Sequence, residues 1–205
     1  MRRLLACILV LCALAGFAAA EEFGQGYDLF QTLYADSINF INTNTGRYLM
    51  PLTFTGDFDS MGLRIYVLQS GALSVKIRLD DMASQIASCE ITLTAPEGMQ
   101  YGDARYNDFT VSGYHSYALL MAMHPSDDPI ERYALVEEVN NGLAANGGEY
   151  RTQVDDYTLV CTNVGNSAIM RFENDLLLGV SMTEEFESAE EEEAEGEFPS
   201  IEIKE

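Results

Sequence analysis

Residues 73–80, Leu-Ser-Val-Lys-Ile-Arg-Leu-Asp, decide the fold class. Leu73, Val75, Ile77 and Leu79 fall on one side of an extended chain, and Ser74, Lys76, Arg78 and Asp80 on the other. A two-residue period of this kind predicts a strand with one buried and one wet face, as in an antiparallel sheet. The apolar run 63–69 precedes it, and Ser70-Gly71 makes a tight turn, so the two runs form a hairpin. Cys89, Ile91, Leu93 and Ala95 repeat the alternation until Pro96-Glu97-Gly98 stops it. The connection 81–88 reads as a loop or one turn of helix. Further strands are expected at 150–154, 157–162, 168–172 and 176–182, with Asp155-Asp156 and Gly165-Asn166-Ser167 as punctuation. Segment 47–55 has strand composition, but Pro51 confines it to an edge or a bulge. A short strand is also expected at 109–111.

Helical periods flank these runs. Tyr27, Phe30, Leu33, Tyr34, Ile38 and Ile41 recur with the spacing of an amphipathic helix over 27–44, closed by Asn44-Thr45-Gly46. Residues 114–124 form an apolar run that reads as a buried helix ending at Pro125. Asp128-Pro129-Ile130-Glu131 then starts another helix, with Asp128 as N-cap, Pro129 in the first position and Glu131 completing a capping box. That helix shows Leu135, Val136, Val139 and Leu143 on one side and stops at Asn146-Gly147-Gly148. The expected fold is α+β: a mainly antiparallel sheet packed on one face by two or three helices, with a loosely pseudo-duplicated plan of helix first and strands after.

Residues 1–20 have the parts of a secretory leader. Arg2 and Arg3 give the positive start, residues 4–17 the apolar stretch, and Ala18-Ala19-Ala20 a small-residue cleavage site. The stretch is too short to remain as a membrane span, and its compact build has a bacterial look. Cleavage leaves a freely secreted, extracytoplasmic product with 9 basic and 33 acidic residues, a net charge of −24. One globular unit is expected over 21–183, followed over 184–205 by an acidic, disordered, solvating tail. The apolar alternation that returns at 198–203 suits addition to a sheet edge. With 47 % hydrophobic residues, the chain holds enough for an ordinary core. Its charge excludes a phosphate-binding face, and so nucleic acid as a partner.

Catalytic signals are sparse. The two histidines, His115 and His124, stand nine residues apart, on opposite faces of a helix. They have no ligand-spaced partners, and no metal or other cofactor is expected. No Gly-x-Ser-x-Gly elbow, phosphate loop or dinucleotide fingerprint is present. Asp57-Phe58-Asp59-Ser60-Met61-Gly62 opens like a calcium loop, which makes Asp57 and Asp59 weak ligand candidates. The twelfth position is Leu68, where that loop needs a bidentate Glu. Cys89 and Cys161, the two cysteines outside the leader, allow two readings. One is a disulfide closing a loop of about 70 residues and adding about 4 kcal/mol; the other is a pair of buried thiols.

Tyr101, Tyr106, Tyr114 and Tyr117 cluster along the chain and are candidates for an aromatic binding patch, with core packing as the alternative. Together these features predict a secreted, non-catalytic binding domain with an acidic surface. Its expected partner is a basic protein, a peptide or a cell-envelope group. The alternative is an extracellular hydrolase acting through carboxylates or His115.

Overall fold

The structure, a computed structural model, describes residues 24–58, 64–80, 85–100 and 102–177. The expected leader, Asp59, Tyr101 and the tail over 184–205 lie outside the described residues. Among those described, the order is α1 (Tyr27–Thr45), β1 (Thr55–Phe58), β2 (Arg64–Ser70), β3 (Leu73–Leu79), β4 (Ile86–Thr94), α2 (Ala104–Ala122), α3 (Pro129–Ala145), β5 (Glu149–Val154), β6 (Tyr157–Val164) and β7 (Ser167–Glu173). The seven strands form one sheet in the order β1-β2-β3-β4-β7-β6-β5, with every pairing antiparallel. Two meanders therefore meet at β4 and β7, each preceded by helix, as the pseudo-duplicated plan requires. The first half has one helix and four strands, the second two helices and three strands.

The alternation read from the sequence sets the layers. Val75, Ile77, Cys89, Ile91, Leu159, Cys161 and Phe172 are fully buried on one sheet face. The α1 residues Phe30, Leu33 and Ile38 and the α2 residues Leu119 and Leu120 join them in a single core. The other face carries the polar set. Across one register line run Val67, Lys76, Glu90, Arg171, Val160 and Arg151. Arg171 donates from Nε and Nη2 to Glu90 Oε2 at 3.0 and 2.9 Å.

Several boundaries differ from expectation, each for a local reason. Segment 47–54 forms neither helix nor strand, and the strand begins at Thr55. Its backbone is held by α1 instead: Leu49 N–H donates to Asn42 Oδ1 at 2.7 Å, and Asn42 Nδ2 donates back to Leu49 O at 2.9 Å. Residues 109–111 are helical, not a strand. Asp103 caps α2 by accepting from Arg105 N–H at 3.1 Å, so the helix starts ten residues before Tyr114 and overrides the local β preference. Strand β4 begins at Ile86, inside the expected loop, because Ile86 pairs with Leu79 beyond an irregularity at Arg78/Leu79.

The expected strand at 176–182 starts as a turn of helix at Asp175, capped by Asn174 Oδ1, which accepts from Leu176 and Leu177 N–H; residues 178–182 lie outside the described set. At α3, Asp128 accepts from Ile130 N–H at 2.8 Å as an N-cap should. The capping box, however, is relayed. Ser126 Oγ accepts from Asp128 N–H and donates to Glu131, so Glu131 reaches the cap through a hydroxyl.

Candidate functional site

Among the described residues a cleft lies where α2 and α3 lean on the ends of β4, β6 and β7. It encloses about 360 Å³. Leu93, Leu120, Val139, Leu143 and Met170 form most of its wall, and Ser116, Tyr117, Asn140 and Asn163 give it a few neutral polar groups. Leu93 and Met170 point inward by strand alternation, and Leu120 and Val139 by helical spacing. No carboxylate, imidazole or thiol is among the described lining residues. An apolar cleft with a few convergent polar groups is suited to holding an uncharged, apolar moiety. Beside it, α3 exposes Glu131, Glu137 and Glu138, while its one cation, Arg132, is buried.

Of the four tyrosines singled out from the sequence, Tyr117 lines this cleft. Tyr114 and Tyr117 are half-buried and packed against the core. Tyr114 receives the Arg47 guanidinium 4.8 Å above its ring. Tyr106 is half-buried near the start of α2.

The histidines are apart, as spacing required. His115 is 4 % exposed, and its Nδ1 stands 2.9 Å from Tyr34 Oη. Burial pushes the Tyr34 hydroxyl up to about 12, so it keeps its proton. It accepts from Leu52 N–H at 3.3 Å and shares a hydrogen bond with His115 Nδ1. Burial also lowers the His115 pKa. The unfolded chain therefore binds the proton first. The stability held by neutral His115 is complete above about 6.5 and falls as pH drops below that value. We expect His115→Gln, which keeps an acceptor for Tyr34, to flatten the pH dependence of unfolding below pH ~6.5. Denaturant unfolding at several pH values checks this; equal slopes for the two proteins would contradict it. His124 lies past the end of α2, with Nδ1 3.5 Å from Asp155 Oδ2. The His115 branch of the hydrolase reading needs a concave pocket that holds the imidazole; His115 is buried, with Nδ1 against the Tyr34 hydroxyl.

The disulfide reading is corrected. Both cysteines are free and buried. Strand β7 runs between them: Phe172 stands opposite Cys89 and Leu159, and Met170 opposite Cys161. Two strand spacings and a two-residue offset separate the Cα atoms by about 12 Å, against an upper limit of about 7 Å for a disulfide. Burial pushes the Cys161 thiol up to about 12 and raises Cys89 as well, so neither is a thiolate near neutral pH. We expect neither thiol to react with an aromatic disulfide reagent in the native protein and both to react in denaturant without reductant. An absence of thiol in the unfolded chain would overturn this placement.

The calcium-loop reading also fails on backbone grounds. Asp57 lies in edge strand β1 opposite Ile65, and Phe58 opposite Arg64, so the first two loop positions pair with the ninth and eighth. Those positions are thus tied into a strand ladder, whereas a calcium loop wraps its ligands round the ion. Among the described residues no cluster of three metal-ligating side chains occurs, and no helix is long and apolar enough to cross a membrane. Comparison with protein-family models, with curated proteins and with solved structures finds no match to this chain.

Proposed function

We propose that the chain is an exported, non-catalytic binding domain that engages a cationic protein, peptide or cell-envelope group. Its acidic body attracts that partner at long range, and the cleft between α2, α3 and the sheet receives an apolar group of it. The observation that carries the reading is the pairing of an uncharged apolar cleft with a helix whose exposed charges are all carboxylates, Glu131, Glu137 and Glu138. Four cations, Lys76, Arg78, Arg151 and Arg171, stand on the opposite face of the sheet by strand register, among the carboxylates Glu90, Glu149 and Glu173. Positive ligands are thus drawn toward the helical side, and salt weakens the pull.

The test is calorimetric titration with a lysine-rich peptide bearing one leucine, at low and high salt. Binding should weaken as salt rises, and Leu143→Arg, which places a cation in the cleft, should reduce it by at least about tenfold, or 1.4 kcal/mol. A lysine peptide without the leucine should bind more weakly. No binding, or binding indifferent to both salt and Leu143→Arg, would rule the proposal out.

A further inference from the structure

Among the described residues, strand β5 ends the sheet with one side unpaired. Its register with β6 shows which groups face outward. Asn163 N–H donates to Gly148 O at 2.7 Å, and this pair extends the register line Glu149↔Thr162, Tyr150↔Cys161, Arg151↔Val160. Hydrogen-bonded pairs alternate along an antiparallel ladder, so Tyr150, Thr152 and Val154 bond to β6. The backbone N–H and C=O of Glu149, Arg151 and Gln153 therefore point to the free side. The strand itself is well anchored. Tyr150 Oη and Thr152 Oγ1 both donate to Glu138 Oε1 on α3, at 2.5 and 2.9 Å. A six-residue edge with a firm backbone and free polar groups is a template for one more strand.

We propose that residues 199–204, Pro-Ser-Ile-Glu-Ile-Lys, occupy this edge as an eighth strand antiparallel to β5. The inference does not depend on what the protein binds. The chain leaves β7 at Glu173, whose register partner Thr158 stands opposite Gln153, near the C-terminal end of β5. From Leu177 to Pro199, some 22 residues span on average about 25 Å as a flexible coil, and the new strand position is only about 14 Å from β7. Entry from that end makes the antiparallel direction the short one.

The side chains select the register. With Glu202 opposite Arg151, Lys204 falls opposite Glu149 and Ser200 opposite Gln153, all on the polar face of the sheet. Ile203 then lies beside Tyr150 and Ile201 beside Thr152 on the helix-covered face. Pro199 comes opposite Val154, a pair whose N–H would point away from β5, so its missing donor costs nothing. A shift by one residue would place proline where a donor is needed, swap the faces and separate both charge pairs.

Amide hydrogen exchange followed by NMR tests this, comparing the full chain with one ended after Glu197. In the full chain the amides of Glu149, Arg151 and Gln153 should exchange at least about tenfold more slowly than in the shortened one, while β4 and β7 amides stay equally protected in both. Arg151→Glu should remove the protection, and adding Glu202→Arg should restore it. Three results would each overturn the proposal: equal exchange at the three amides in the full and shortened chains; protection lost on dilution, which would mean a second copy supplies the strand; and no recovery in the doubly reversed protein.

Discussion

Replacing Phe172 by Ala lowers the unfolding free energy by about 3–5 kcal/mol, the range for deleting a fully buried aromatic side chain and leaving a cavity. The position explains the size. Phe172 is wholly buried on β7, opposite Cys89 of β4 and Leu159 of β6, so it packs at the seam where the two meanders join. The Tyr157 ring meets it edge-on at 6.3 Å. Its neighbours cannot collapse far into the hole, because β7 is hydrogen-bonded on both sides. Denaturant unfolding measures the loss. A change below about 1 kcal/mol would mean that Phe172 does not bridge the halves.

Tyr157→Phe removes a single oxygen and should cost about 2–6 kcal/mol, because it strands two buried partners worth about 1–3 kcal/mol each. The Tyr157 hydroxyl donates to Ile86 O at 2.7 Å and accepts from Gln25 N–H at 2.8 Å. It thereby ties β6, the start of β4 and the segment entering α1 at one point. Gln25 is 4 % exposed, and its side-chain Nε2 donates to Ala122 O at the end of α2, so no water replaces the lost bond cheaply. Burial raises the hydroxyl pKa well above the ordinary tyrosine range, so it stays a donor at any ordinary pH. Equal stability of the two proteins would show that this junction is open to water.

Much of the fold is legible in the residues because the period is strong. Residues 73–79 alternate without a break, and strand β3 has the expected bounds at its start and ends one residue early. The start of α3 is legible for the same reason: Asp128, Pro129 and Glu131 are each suited to one position of a helix entry. What is hidden depends on individual side-chain-to-backbone bonds. The first half of α2 is largely polar, and its helicity rests on the Asp103 cap more than on pattern. Segment 47–54 is held by Asn42, seven residues before Leu49, and by the Tyr34 hydroxyl, which accepts from Leu52 N–H.

The candidate site is harder to see. Its walls come from Leu93, Tyr117, Val139, Asn163 and Met170, one from each of five elements, and no local motif links them. Tyr117 is the point where the aromatic cluster of the sequence touches it. The cysteines illustrate the reverse case: both face the core as alternation predicts, and only strand order reveals that β7 keeps them apart.

The placement of the cleft, the polar face, the cysteines and the free edge all rest on β4 pairing with β7, so that two meanders share one sheet. Cross-strand NMR contacts test it most directly. The account predicts backbone contacts between Glu90 and Arg171, Ile91 and Met170, and Thr92 and Ile169, the registered pairs of that seam. Contacts that stop within 55–94 and within 149–173, with none linking the two sets, would contradict it.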